Sequence, residues 1–114
     1  MPLDCVFCKI VAREIPADIV LETNHVVAFP DLNPQAPTHL LIIPKQHIPS
    51  LAHVTEMNGT LLVDLQLAAK ELANKYQLDK GFRLVTNCGE SAGQSVQHLH
   101  FHLLGGRDFT WPPG

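Results

Sequence analysis

The chain is 114 residues long, with 46% hydrophobic and 17% charged residues and a formal net charge of −3 at pH 7. That length predicts one domain over residues 1–114 with a modest apolar core, and the acidic balance argues against a nucleic-acid-binding surface. No apolar run approaches the ~20 residues of a membrane-spanning helix, so we expect neither a membrane nor a nucleic acid as partner. The first residues do not resemble a signal peptide and three cysteines suit a reducing compartment, which predicts a cytoplasmic protein.

A C-x-x-C pair, Cys5 and Cys8, lies near the start of the chain. Such a pair is compatible with a redox couple, with half of a zinc site or with two small core residues. The apolar residues around it have helical spacing and predict a short helix that ends before Pro16. If the pair binds zinc, the other two ligands must come from elsewhere in the chain, and histidine is the available type.

The next part of the chain contains three short apolar runs, at residues 19–21, 25–29 and 39–44. The first two are separated by a three-residue turn and predict an antiparallel hairpin. The third ends at Pro44 and predicts a central strand. Asp31 lies in the loop between the second and third runs. It could accept hydrogen bonds from ribose hydroxyls, although an aspartate in such a loop more often only forms the turn.

One long helix is predicted over residues 58–77, because apolar residues recur there at spacings of three and four. Asn58 or Thr60 could cap its start, and Gly81 ends the connection that follows it. Residues 82–87 predict a fourth strand.

A glycine- and serine-containing loop at residues 88–95 leads into the last predicted strand. Such a loop can direct backbone N–H groups at an anion, and Asn87, Gln94 and Ser95 supply side-chain donors beside it. It has no lysine of the P-loop type and no helix after it, so it is not a Walker motif. These features predict a phosphate cradle of neutral groups.

Three histidines, His98, His100 and His102, alternate with apolar residues in that last strand. A period of two places the three imidazoles on one face and the apolar side chains in the core. Neighbouring histidines on one face lie ~6.6 Å apart, which suits one phosphate or one metal ion. The alternative is a solvated face that merely carries histidine, but other polar residues would serve such a face equally well.

Three functions are compatible with this histidine run. The first is nucleophilic attack on phosphorus, because a neutral imidazole, with a free pKa of about 6.5, is largely available as a nucleophile at neutral pH. The central His100 is the natural nucleophile. The second is a zinc hydrolase, which would need a ligand from another element. The third is a nucleotide-binding or scaffold protein without catalysis. After the run, the aromatic tail with Trp111 has little core to fill and could pack on a partner subunit.

Taken together, the motifs resemble the histidine triad (HIT) family. The spacing His98-x-His100-x-His102-Leu103-Leu104 is its signature, and the similarity covers nearly the whole chain, from Cys5 to Gly114. Further matching stretches follow in the same order, at residues 31–39, 43–47, 93–96, 104–107 and 111–114. The last three of these are similar to the Hint branch of the family, the purine nucleoside phosphoramidases.

The resemblance implies an α+β fold with a five-stranded antiparallel sheet, one long helix and one short helix. Two subunits would pair into a ten-stranded sheet, which implies a homodimer with the C-terminal tail, residues 105–114, at the dimer interface and the active site. The implied reaction is hydrolysis of adenosine or guanosine 5′-phosphoramidates to AMP or GMP and an amine. His100 would carry the covalent nucleotidyl intermediate.

The resemblance also assigns roles to individual residues. His102 and Asn87 would lie at the α-phosphate, Ser95 would contact the phosphate or the departing amine, and His39 and His98 would support the nucleophile. The implied nucleotide contacts are Asp31 at the ribose hydroxyls, Leu32 at the sugar or base, Trp111 at the partner's active site, and the phosphate-side residues Asn87, Gly93, Gln94, Ser95, His100 and His102.

Animal Hint proteins lack the C-x-x-C pair, whereas many microbial members carry it together with zinc. By that resemblance the zinc ligands are Cys5, Cys8, His47 and His98, and the zinc is structural because four protein ligands close the site. The alternative is two reduced thiols in a small helix. Cys88 lies outside this set and has no assigned role.

The nearest different enzyme is a dinucleoside polyphosphate hydrolase of the related Fhit-like branch. The tail that ends at Trp111-Pro112-Pro113-Gly114 argues against that branch. A metal-dependent hydrolase and a non-catalytic nucleotide-binding protein are also compatible with the sequence.

Overall fold

A computed structural model describes residues 4–114 of the chain. It contains strands β1 (Leu21–Glu22), β2 (Val26–Pro30), β3 (Thr38–Pro44), β4 (Phe82–Val85) and β5 (Phe101–Gly105), and α-helices α1 (Val6–Val11) and α2 (Gly59–Lys75). The strands form one antiparallel sheet in the order β1-β2-β3-β5-β4. This arrangement confirms the predicted α+β fold. Within the described part of the chain, no helix has the length and apolar character to cross a membrane.

The central strand β3 is apolar on both faces because both faces of the sheet are covered. Leu40 and Ile42 pack in the larger core, together with the buried side of α2. The alternate residues, Leu41 and Ile43, pack on the opposite face with Phe7 of α1. Burial from two sides therefore explains the continuous apolar run that predicted this strand.

The predicted hairpin is confirmed, although its first strand begins later than the apolar run. Leu21 pairs with Ala28 across β1 and β2. The N–H of Ile19 does not join the ladder, because it donates back to the carbonyl of Ala17 at 3.1 Å.

The start of α2 differs from the prediction. Asn58 precedes the helix but makes no capping bond to it. Its side-chain oxygen instead accepts from the N–H of Thr55 at 2.9 Å, which closes a capping box around the 3₁₀ turn Glu56–Asn58. Thr60 lies inside the helix. The helix therefore continues from a capped 3₁₀ turn and needs no cap of its own.

The histidine run also departs from the predicted strand. β5 begins at Phe101, so only His102 lies within it, and its ladder with β3 starts at the pair Ile42–Phe101. Pro44 of β3 has no N–H to offer, and its carbonyl accepts from the His98 ring at 2.8 Å. The predicted alternation persists nevertheless, because Leu99, like Phe101, is buried in the larger core.

Candidate functional site

A cleft of about 380 Å³ lies between α1 and the sheet, and two of the three clustered histidines line it. His100 and His102 approach it from the start of β5, and Asp31 approaches from the loop after β2. Much of the remaining lining is apolar and includes Phe7 of α1 and Phe29 of β2. The cleft thus combines a histidine-bearing end with an apolar slot.

His100 is held in one orientation by its neighbours. Its Nδ1 lies 2.7 Å from the carbonyl oxygen of His98, and because a carbonyl only accepts, Nδ1 carries the proton in the neutral ring. The carbonyl of His100 accepts from the Thr86 hydroxyl at 2.8 Å. The ring of Phe7 meets the imidazole nearly perpendicularly, with centroids 5.2 Å apart. These contacts leave Nε2 of His100 with a free lone pair.

The tautomer of His102 is set by a series of two hydrogen bonds. The backbone N–H of Gln35 donates to Nδ1 of His39 at 3.0 Å, so the proton of His39 is on Nε2. That Nε2 lies 2.9 Å from Nδ1 of His102 and donates to it. The proton of His102 is therefore on Nε2. In the neutral state, His100 and His102 present unlike atoms, one acceptor and one donor.

The environment of His39 and His102 favours the neutral form of both rings. Burial lowers the pKa of His102 to about 4, with help from the neighbouring His100 and His39 and against the Asp31 carboxylate. Burial also lowers the pKa of His39, again against Asp31. Asp31 Oδ2 is 3.4 Å from His39 Nε2 and 3.9 Å from His102 Nδ1. Because desolvation lowers the pKa of His102 more than the Asp31 carboxylate raises it, His102 remains a neutral donor at neutral pH.

A second group of side chains lies behind His100 and could hold a metal ion. Cys5, Cys8, His47 and His98 bring one ligand atom each within 4.8 Å of one another. Nδ1 of His98 lies 3.4 Å from Cys5 Sγ, 3.6 Å from Cys8 Sγ and 3.2 Å from His47 Nδ1. Because Nε2 of His98 donates to the Pro44 carbonyl, the lone pair of Nδ1 points into this group.

We refer to Cys5, Cys8, His47 and His98 as the metal cluster. Without a bound cation, this environment disfavours the deprotonated form of the Cys8 thiol. Burial raises the pKa of Cys8 to about 11, with further contributions from Cys5. A bound cation would reverse this shift, since a coordinated thiol loses its proton. Asp31, His39 and His102 form a second group within metal-binding distance. In that group, His39 Nε2 and His102 Nδ1 are 2.9 Å apart, which is the distance of an ordinary hydrogen bond.

The other predicted site residues are distributed unevenly. Ser95 and the fully exposed Leu32 border the cleft. Asn87 is half-buried beside Gly93, whose φ of +96° favours glycine. The side chain of Gln94 is buried and bonds the backbone of its own loop and of Pro49. Gln94 therefore fastens the loop beneath Ser95.

Trp111 lies outside the cleft in the described chain and is 82% exposed. The tail is tied to the sheet by Arg83, which donates to the carbonyl of Thr110 at 2.9 Å. Arg83 and Arg107 also contact the ring of Phe109, at 5.0 and 4.3 Å from its centroid. The tail thus packs against the sheet of the same chain up to the exposed tryptophan.

Sequence reasoning missed the contribution of α1 to the cleft. Val6, Phe7 and Ile10 all line it, whereas the sequence pattern indicates only a short helix that carries two cysteines. The signal was present in the spacing of Phe7 and Ile10, which places both on one face of a helix. It was ambiguous because the same spacing is typical of core packing.

The chain is similar to known proteins over nearly its whole length. A family model described as HIT domain matches residues 12–109. An uncharacterized HIT-like protein from Synechocystis sp. is 52% identical over 114 residues, 100% of both chains. A solved HIT family hydrolase from Legionella pneumophila has a TM-score of 0.96 and 51% identity, covering 97% of this chain and 100% of that one. A solved histidine triad nucleotide-binding protein from Candida albicans has a TM-score of 0.83 and 34% identity, covering 96% and 83%.

Proposed function

The chain belongs to the HIT domain family and is hydrolase-like, and we propose that it hydrolyses purine nucleoside 5′-phosphoramidates to AMP or GMP and an amine. One observation carries this proposal. The 2.7 Å bond from His100 Nδ1 to the His98 carbonyl leaves Nε2 unprotonated in the cleft, as a nucleophile on phosphorus requires.

In the first step, Nε2 of His100 attacks the α-phosphorus and the P–N bond to the amine breaks. The His98 carbonyl stabilises the positive charge that develops on the ring, because Nδ1 keeps its proton. The departing nitrogen takes up a proton from solvent water and leaves as the amine, and the Ser95 hydroxyl, on a residue that lines the cleft, could hydrogen-bond to it. Water then cleaves the nucleotidyl-histidine and releases the nucleoside monophosphate.

His102 assists by a hydrogen bond rather than by a charge. Its Nε2–H is a neutral donor, fixed through His39 and the Gln35 N–H. A donor in a buried site stabilises negative charge on the phosphoryl oxygens without any reorganisation during the reaction.

The apolar end of the cleft suits a purine. Phe7 and Phe29, with ring centroids 5.7 Å apart, border a slot that an aromatic base could fill. Asp31 also lines the cleft, and its carboxylate lies close to His39 and His102. Its Oδ1 accepts from the N–H of Asn33 at 2.8 Å, while Oδ2 faces the histidine side, where ribose hydroxyls could donate to it.

We propose zinc as the ion of the metal cluster. Tetrahedral zinc, bound at roughly 2.0–2.1 Å to nitrogen and about 2.3 Å to sulfur, separates its ligand atoms by roughly 3.3–3.8 Å. Four of the six separations between these ligand atoms are 3.2, 3.3, 3.4 and 3.6 Å, within or just below this range. Cys5, Cys8, His47 and His98 would close the coordination sphere, so the zinc would stabilise the fold and leave catalysis to His100.

The same proposal includes a cytoplasmic homodimer with a ten-stranded sheet. β4 lies at one edge of the sheet, where its backbone groups could pair with a second copy. Phe82 of that strand is 45% exposed, and Trp111 is 82% exposed. Burial of both aromatic side chains by a partner would favour association.

Turnover of a fluorogenic adenosine phosphoramidate tests the proposal. We expect wild type and His25→Ala to turn over alike, since His25 is exposed in the β1–β2 turn, and His100→Ala to lose at least ~10³-fold in rate. Metal content should be equal in all three proteins. Loss of metal together with activity in His100→Ala would instead support a metal-dependent hydrolase.

A second substrate distinguishes the phosphoramidase from two further functions. Faster turnover of a diadenosine polyphosphate than of the phosphoramidate would identify a dinucleoside polyphosphate hydrolase. Background rates on both substrates with tight AMP binding would identify a non-catalytic nucleotide-binding protein.

A further inference from the structure

Phe7 lies between the metal cluster and the cleft. It is flanked in sequence by the two cysteines of the cluster and is only 6% exposed. Its ring meets His98 with centroids 5.8 Å apart and His100 with centroids 5.2 Å apart, nearly perpendicular to both. One aromatic ring therefore contacts a member of the metal cluster, the proposed nucleophile and the substrate cleft.

The backbone of His98 provides a second connection. Its ring nitrogen belongs to the metal cluster, while its carbonyl accepts the hydrogen bond that orients His100. The ring and the carbonyl are part of one residue held at Pro44. A metal that holds the His98 ring also restricts the carbonyl that orients the nucleophile.

α1 relies on contacts with the rest of the chain, which include the apolar core around Leu41 and Ile43. It has six residues, well below the ~12–15 at which an isolated helix becomes even marginally stable in water. Its first turn is organised by Cys5, whose sulfur accepts from the N–H of Cys8 at 3.3 Å. Beyond its other end, Arg13 pairs with Glu22 on the surface, where ion pairs contribute little. A metal bound by the two cysteines would therefore fix one wall of the cleft.

We propose that metal binding at the cluster and nucleotide binding in the cleft are thermodynamically coupled through α1, with Phe7 as the positioning residue that links them. This inference rests on the proposed nucleotide site. Coupling is reciprocal, so the factor by which the metal tightens nucleotide binding equals the factor by which the nucleotide tightens metal binding. We expect a factor of ~10, within the usual range for coupled sites.

The cluster is accessible enough for the measurement. A recess of about 320 Å³ opens beside it and is bordered by Asp4, His47 and Gln97. His47 is only half-buried, so a small chelator can approach it from this side.

Two titrations test the coupling. Calorimetry gives the Kd of AMP for zinc-loaded and zinc-stripped protein, and a chromophoric chelator gives the zinc affinity with and without saturating AMP. We expect both ratios to be ~10 and equal to each other. Circular dichroism of the stripped protein shows whether it stays folded.

Phe7→Leu and Phe29→Leu form a matched pair. Both remove an aromatic ring from the cleft wall, but only Phe7 belongs to α1 and contacts His98. We expect both variants to bind AMP more weakly. Phe29→Leu should keep the ~10-fold ratio in zinc affinity, whereas Phe7→Leu should reduce it below ~3-fold. If zinc removal simply unfolds the chain, both variants keep the ratio, and the role of Phe7 is overturned.

The remaining outcomes separate the two proposals. Equal AMP affinity with and without zinc overturns the coupling and leaves the hydrolase proposal in place. Failure of the zinc-loaded protein to bind AMP overturns the nucleotide site and the coupling together.

Discussion

His98 and His100 are two residues apart, yet opposite nitrogens of their rings are held by the protein. A backbone carbonyl accepts from Nε2 of His98, which leaves Nδ1 for the metal cluster. Another carbonyl accepts from Nδ1 of His100, which leaves Nε2 for the cleft. The comparison shows that the ring nitrogen occupied by a backbone carbonyl, rather than the place in the repeated motif, decides which nitrogen of each histidine keeps its lone pair.

The largest expected effect comes from removing a proposed metal ligand that neighbours His98. Cys8→Ala removes a ligand from the metal cluster, and we expect it to lose bound zinc and at least about 3 kcal/mol of unfolding free energy. The matched control is Cys88→Ala, because Cys88 is exposed and outside the cluster. Metal analysis and urea denaturation provide the measurement. Equal zinc content in the two variants would show that the cluster is not a metal site.

A smaller effect should come from protonating His102, which lies on the His100 side of this comparison. The pKa of His102 is about 4 in the folded chain, against about 6.5 when the ring is free, because burial opposes its charge. Between these values the unfolded chain binds a proton that the folded chain excludes. The contribution of His102 to the free energy of unfolding is therefore complete above pH 6.5. It is lost as the pH drops toward 4, by up to about 3 kcal/mol.

His102→Asn isolates this contribution from the loss of stability that acid release of the proposed zinc would cause. Urea denaturation of both proteins between pH 7 and 4 should show a shallower loss for the variant. Parallel pH profiles would mean that folding does not lower the pKa of His102, and the ring would then become charged in the folded chain below about pH 6.5.

The sequence predicted the elements well where a single periodicity governed them. β3 was predicted from its continuous apolar run and α2 from its spacing, and both lie within one or two residues of their predicted bounds. The resemblance to the HIT family also grouped Cys5 and Cys8 with two distant histidines, and the structure brings these four residues together. No local pattern could have joined residues so far apart in the chain.

The details that decide chemistry were not visible in the same way. Alternation predicted that the three histidines share one strand, but Pro44 ends the ladder and its carbonyl takes the ring of His98. The tautomer of His102 depends on the backbone N–H of Gln35, which any residue except proline would supply. Backbone groups leave no trace in side-chain patterns, so these assignments required the structure.

The smallest predicted effect tests how firmly the His100 side is held. The Thr86 hydroxyl donates to the carbonyl of His100 at 2.8 Å and so helps to fix the backbone of the proposed nucleophile. Thr86→Val preserves shape but removes the donor, and we expect kcat to fall ~10-fold with a stability loss of about 1 kcal/mol. Thr86→Ser keeps the hydroxyl and should retain most of the rate. Equal rates in both variants would mean that the His98 carbonyl alone holds His100 in its reactive orientation.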